Sequence, residues 1–204
     1  LAAGMSGRFS YTLIAPFYDL VAAPAFARAR RESLRALPAD GCASVLLDGI
    51  GTGLDLAYLP ACHRYTGIDI TRAMLERALP RSHGLDVDWV QGDSSALPFA
   101  DECFDHAVLH LILAVVPDAA QALREAARVL KTGGTMMILD KFLQPGAYAP
   151  LRRLLSPLAA RIATRTDVVF EEVLGKVPGL RVMSDEPVLA GGWFRCLRLL
   201  KPAA

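Results

Sequence analysis

Apolar residues fall along this chain in two alternating rhythms. Short, nearly unbroken runs at 43–48, 65–69, 86–91, 104–109 and 135–140 have the length and the large or β-branched apolar content of buried strands. Between them the period lengthens. Ala119, Leu123, Ala126 and Leu130 recur every three or four residues and paint one face of a helix over 117–131. Pro117 suits its first turn, and Lys131 with Gly133 suits its end. A further helix is predicted from Thr71, its cap, to about Leu79, with Ala73, Met74 and Ala78 inward and Pro80 closing it. A short helix is predicted to end at Tyr58. Two helical stretches follow residue 140, before the last strands at 180–184 and 194–200. Strands alternating with helices are the mark of βαβ units around a parallel sheet, so the predicted fold class is α/β and doubly wound, with helices on both faces. No internal repeat is visible.

Length and composition narrow this picture. The 204 residues suit one domain, 1–204, with 53% hydrophobic and 21% charged residues, the balance of a chain that fills a core. A net charge of +1 supplies no global field toward nucleic acid. No apolar run is long enough to span a bilayer; the longest, 107–116, contains His110. Leu1 to Gly4 precede Met5, do not resemble a signal peptide and are left out of the fold argument. Cys42, Cys62, Cys103 and Cys196 lack the paired spacing of a metal or redox site, and their reading as reduced thiols suits the cytoplasm. No metal is expected. Cys62-His63 reads as a surface turn, and His83 and His106 as solvated or structural residues.

The candidate chemistry gathers at strand ends. The first strand runs into Gly49-Ile50-Gly51-Thr52-Gly53, a turn whose missing Cβ atoms let a ligand lie against the main chain. Leu54 occupies the place where a dinucleotide fingerprint needs its third glycine, which disfavours a nicotinamide cofactor. Asp69 ends the second strand, where a carboxylate can accept hydrogen bonds from two ribose hydroxyls. Asp93, within Gln91-Gly92-Asp93-Ser94, ends the third and is placed to read an exocyclic amine. Each signal alone has an ordinary explanation as a turn or cap. Three at successive strand ends, where open α/β sheets bind ligands, point to a nucleoside-bearing ligand.

These stretches resemble the class I S-adenosylmethionine-dependent methyltransferases. The likeness is carried by Val45 to Gly53, Tyr65 to Ile70, Gln91 to Phe99, Phe104-Asp105 and Arg124 to Gly134, in the family's order and spacing. Gly51-Thr52-Gly53-Leu54-Asp55-Leu56 and the early Tyr18-Asp19 pair place it nearest the quinone C-methyltransferases and bacterial phosphatidylethanolamine N-methyltransferases. The resemblance implies a Rossmann-like, seven-stranded sheet, mostly parallel, with one antiparallel strand near the C-terminus and a core at about 41–141. It implies S-adenosyl-L-methionine as cofactor: Asp48, Gly49, Ile50, Gly51, Thr52 and Gly53 at the methionine part, Asp69 at the ribose, Ile70 and Met74 beside the adenine, Gly92, Asp93 and Ser94 at its edge, and His110 near the methyl. One position departs from the pattern. Where the family has an acid two places before the first glycine, this chain has Leu47, and Asp48 follows one residue later, on the other face of an alternating strand.

Displacement at a sulfonium mainly needs alignment and exclusion of water. A base matters only for an acceptor that must lose a proton, and His110, Tyr18 and Asp140 are the candidates. Residues 10–37 and 141–178 are expected to cover the pocket of a small-molecule, hydrophobic or lipid-like acceptor. Both are apolar and carry arginines: Arg28, Arg30, Arg31 and Arg35 in the first, Arg152, Arg153, Arg161 and Arg165 in the second. Such faces are either solvated lids or sites of peripheral contact with anionic lipid. The expected state is a monomer or homodimer. A protein that binds the cofactor without transfer, and more distantly an NAD-dependent oxidoreductase, are the alternatives.

Overall fold

The computed structural model describes residue 24, residues 26–143 and residues 167–203. Seven strands form one sheet in the order β3-β2-β1-β4-β5-β7-β6. They are β1 (Ser44–Asp48), β2 (Arg64–Asp69), β3 (Asp86–Gln91), β4 (Phe104–His110), β5 (Leu130–Lys141), β6 (Arg181–Leu189) and β7 (Phe194–Leu200). The neighbours β3, β2, β1, β4 and β5 are parallel, and β7 runs antiparallel to both β5 and β6. Strand order reverses between β1 and β4. That is the topological switch point, where the crevice of an open α/β sheet opens at the carboxyl ends of the strands.

Alternation along the central strands supplies two apolar faces. Leu46, Ala107, Leu109, Met136 and Ile138 face one layer, with α3 (Ala119–Val129) and α4 (Phe170–Leu174) packed on it. Val45, Leu47, Val108 and Met137 face the other, covered by α1, helical over residues 26–34, and α2 (Arg72–Ala78). Helices therefore lie on both faces, because neither side of a central strand meets water.

Several expected boundaries move. Pro117 lies before α3 rather than in its first turn, and Asp118 caps the helix: its carboxylate accepts the backbone N–H groups of Ala120 and Gln121, both at 3.0 Å. The Thr71 side chain makes no capping bond at α2; the Asp69 carboxylate accepts the Thr71 N–H instead. Pro80 lies inside a 3-10 turn that continues the helix over Leu79–Arg81, and Ala73 is half-buried while Leu75 is buried. β5 begins at Leu130, five residues early, because Leu130 pairs with Phe104 before the register shifts. β6 starts at Arg181, within the expected 180–184, but runs on to Leu189 as an edge strand whose first seven residues are exposed, so no apolar rhythm marked its second half. Arg30 corrects the arginine reading: it is 5% exposed and ion-paired inside the protein, whereas Arg28, Arg31 and Arg35 are exposed. Tyr18, Arg152, Arg153, Arg161, Arg165 and one expected helix fall outside the described residues.

Candidate functional site

The glycine turn, the end of β2 and the end of β3 are tied to one another by hydrogen bonds. The Ile50 N–H reaches the Ile68 carbonyl at 3.0 Å, which carries the β1–β2 ladder into the turn. The Asp69 carboxylate then accepts two backbone N–H groups, Gly51 at 2.9 Å on one oxygen and Thr71 at 2.8 Å on the other. The Gly92 N–H bonds the Asp69 carbonyl at 3.1 Å, and the Ser94 hydroxyl crosses to Asp48. Gly51, Asp69 and Asp93 thus stand at adjoining strand tips.

Gly49 and Gly51 have φ of +67° and +56°, in the left-handed region that L side chains avoid. Their surroundings differ. A Cβ at Gly49 would strike Ile112, with atoms from 2.6 Å, whereas one at Gly51 would meet no atom closer than the Gly49 carbonyl at 3.9 Å. The first glycine permits packing beneath the turn. The second leaves its upper surface open.

The acidic groups here are electrostatically distinctive. Asp48 is buried; Ser94 donates to one of its oxygens, while the other has no partner among the described residues. Burial pushes its carboxyl up to about 7, against the Ser94 bond, and the charges of Asp69 and Asp93 push the same way. Burial also raises Asp69, opposed by its two N–H bonds. Asp93 is exposed and accepts the Ser95 N–H at 2.8 Å, the geometry of a local turn. Ile70 is 43% exposed, an apolar surface beside Asp69, and Met74 is buried on α2. Thr52 is buried, and its carbonyl accepts from Arg81.

Leu47 lies in the apolar layer beneath α1 and α2, and Asp48 points to the opposite face, where Ser94 meets it. Asp48 therefore does not stand in for an acid at position 47. The carboxylate on the α1 side is that of Asp55, two residues beyond Gly53. Its Oδ1 lies 2.7 Å from His110 Nδ1 and 2.7 Å from an Arg30 guanidinium nitrogen, and Ser33 Oγ is 3.0 Å from His110 Nε2. All four residues are buried. Burial alone would raise the Asp55 carboxyl, but His110 and Arg30 hold it well below the usual carboxylate range. Arg30, Ser33 and Asp55 were missed from the sequence. Helical spacing held the signal, since 30, 33, 34 and 37 share one face with Leu34 and Leu37.

The other candidates are engaged within the fold. Asp140 is buried, accepts the Ala114 N–H at 3.0 Å and the Lys141 N–H at 2.8 Å, and burial lifts its carboxyl to about 6. His63 is not a surface residue: its ring accepts the Ala43 N–H at 3.1 Å and lies 2.8 Å from the Pro38 carbonyl. His106 bonds the Thr135 hydroxyl at 2.8 Å. No helix among the described residues is long and apolar enough to cross a membrane.

Residues 47–138 match the family described as a methyltransferase domain. A phosphatidylethanolamine N-methyltransferase of Cereibacter sphaeroides is 33% identical over 159 residues, 76% of this chain and 78% of that one. A ubiquinone/menaquinone biosynthesis C-methyltransferase of Desulfotalea psychrophila is 42% identical over 106 residues, 49% of this chain, and the match spans 42% of that protein's length. The solved structure of the cyclase SpnF shares the fold, with a TM-score of 0.77 at 20% identity over 97% of this chain and 95% of that one. Family match, extended relative and sheet order agree: the chain belongs to the class I S-adenosylmethionine-dependent methyltransferases, in the branch that holds phosphatidylethanolamine N-methyltransferases and quinone C-methyltransferases.

Proposed function

We propose that the strand tips hold S-adenosylmethionine and that the chain moves its methyl group to a lipid-like amine. The observation that carries the cofactor assignment is the pair of N–H bonds on Asp69, which fix its carboxylate beside the open Gly51 turn with lone pairs left for vicinal hydroxyls. The residues fit the ligand. The exposed Ile70 side chain offers an apolar platform for adenine, Gly92 to Ser94 its edge, and Met74 a wall. Asp69 and Asp93 lend negative charge to the strand tips, and the Asp48 oxygen that has no partner among the described residues can take a cation in its ionised form. Gly49 to Gly53 present main-chain groups to the methionine end. When bound, S-adenosylmethionine supplies a methyl group activated by the positive charge on sulfur.

The chain's task is then alignment and exclusion of water. Two features favour an amine acceptor. His110 and Asp140 have their polar atoms engaged inside the protein, and an amine that arrives neutral asks for no base. The Cereibacter sphaeroides relative, matched over 76% of this chain and 78% of its own length, is named for an N-methyltransferase, whereas the match to the Desulfotalea psychrophila quinone enzyme spans 42% of that protein. Apolar side chains also gather at the ligand end of β5 and β7: Phe26 and Phe194 stack edge to face at 4.8 Å, with Trp193 beside them.

The test is methyl transfer from labelled S-adenosylmethionine to vesicles containing phosphatidylethanolamine, with a demethylated quinol as the parallel acceptor. Label in the aminophospholipid is expected. Label in the quinol alone would replace the amine by a carbon acceptor, and no cofactor binding by calorimetry would overturn the site itself.

A further inference from the structure

Four buried polar residues meet at the switch point, and of them only His110 figures among the expected cofactor contacts. Arg30 and Ser33 come from α1, Asp55 from the segment after the glycine turn, and His110 from the end of β4. Asp55 Oδ1 takes both Arg30 and His110 at 2.7 Å, and Ser33 closes the chain on the far ring nitrogen at 3.0 Å. Removing an arginine, a carboxylate and an imidazole from water is costly, and well-packed apolar residues serve stability at least as well. Stability alone does not account for them.

The order of partners resembles a serine nucleophile with its base, but the serine is wrongly placed for that work. Ser33 is 4% exposed on α1, beside Leu34, which packs into the core. Its hydroxyl is placed instead to tether. Around it, α1 rests on the elements that frame the turn: Leu34 and Leu37 share a cluster with Ile50 and Leu56, and the Arg31 guanidinium lies 5.5 Å from the Tyr58 ring centre. Asp55 itself accepts the Tyr58 N–H through its carbonyl at 3.0 Å, so it belongs to the same short segment that Gly53 begins. The Arg30 Nε is buried and has no partner among the described residues.

We infer that Arg30, Ser33 and Asp55 are positioning residues that, through His110, fasten helix α1 to the glycine turn, so that cofactor binding and the ordering of α1 against that turn are one coupled event. This rests on the cofactor reading given above. Because Asp55 is one carboxylate shared between α1 and β4, a ligand that orders the turn orders the helix, and the helix in turn holds the turn in its binding form. A carboxamide at 55 keeps the shape but leaves Arg30 without its counter-charge and offers a weaker anchor to the imidazole.

Hydrogen exchange on the full chain, with and without saturating S-adenosylmethionine, tests the coupling. Wild-type protein is expected to show exchange across residues 26–34 slowed about tenfold or more by the cofactor. Asp55→Asn is expected to lose most of that protection, and Ser33→Ala, which disturbs no charge, to lose part of it. Both should lower kcat more than they raise the cofactor Kd. Ser33→Thr should restore what Ser33→Ala loses. Cofactor that binds the wild type without protecting 26–34, or protection and kcat unchanged in both variants, overturns the inference and leaves the binding site standing. Absence of cofactor binding in the wild type sinks the site reading first. Covalent labelling of Ser33 by a fluorophosphonate would overturn the tether in favour of a nucleophile.

Discussion

The Ser94 hydroxyl donates to a carboxylate oxygen of Asp48 at 2.5 Å, joining the tip of β3 to the tip of β1 in a buried setting. The second Asp48 oxygen has no partner among the described residues, and burial pushes the carboxyl up to about 7. A positively charged ligand set against it selects the ionised form. Binding S-adenosylmethionine near neutral pH is therefore expected to release protons from the wild-type protein, with affinity rising by up to about tenfold per pH unit below the Asp48 transition. Asp48→Asn should flatten that rise. Calorimetric titrations in buffers of different ionisation enthalpy measure both effects, and identical proton release in the two proteins would refute the role given to Asp48.

The same carboxyl sets a pH dependence of stability in the ligand-free chain. Asp48 is raised from 3.8 to about 7 and Asp140 from 3.8 to about 6, in each case by burial. An acid whose folded value is raised binds its proton more tightly when folded. Its stabilisation is complete below the unfolded value near 4 and is lost as pH rises through 6 to 7. Urea unfolding should thus give a less stable protein at about pH 8 than at about pH 5, by on the order of a few kcal/mol. Asp48→Asn keeps the Ser94 partner and should remove part of that slope. Asp55 works in the opposite sense: held low by His110 and Arg30, its stabilisation fails only in strong acid.

Gly49 and Gly51 should respond differently to alanine although both have positive φ. At Gly49 a methyl meets the Ile112 Cβ at 3.0 Å as well as the outer atoms of that side chain, so the turn must move. Gly49→Ala is expected to cost about 2–4 kcal/mol of stability, the sum of left-handed strain and overpacking. Gly51→Ala meets open space and should cost only about 1 kcal/mol, yet weaken cofactor binding at least tenfold because its methyl enters the space assigned to the proposed ligand. Thermal melting paired with binding titration separates the two, and a destabilised Gly51→Ala with normal affinity would contradict the assignment.

Much of this was legible in the sequence because it rests on local rules. Central strands are apolar on both faces, so β1 and β4 stand out within a residue or so, and glycines at a strand end announce a turn that must bend left-handed. What stayed hidden depends on distant partners. The second half of β6 is one case: the strand was legible at 180–184, but it lies at the sheet edge with its first seven residues exposed, and its run on to Leu189 left no apolar pattern. The polar pair Ser94 and Asp48 is 46 residues apart, and the Ser33 to His110 contact spans 77. Arg30 shows the limit most sharply. Beside Arg28 and Arg31 it reads as one more surface cation, and only the carboxylate at 55 gives a reason to bury it.

Asp69 carries the most direct test of the site. Its carboxylate serves the fold by accepting the Gly51 and Thr71 N–H groups, and it serves the proposed ligand with its remaining lone pairs. Removing it should show in both properties. Asp69→Ala is expected to weaken S-adenosylmethionine binding by about 1–3 kcal/mol, or roughly 5- to 150-fold, because two ribose hydroxyls lose their acceptor. Asp69→Asn should do no better, since its amide nitrogen would face a backbone N–H that needs an acceptor. Asp69→Glu reaches further but keeps the charge, and should recover part of the affinity only if the ribose accounts for the loss. Binding titrations, with circular dichroism to verify folding, decide the matter. A folded Asp69→Ala protein that binds the cofactor as tightly as wild type would show that the ribose is held elsewhere.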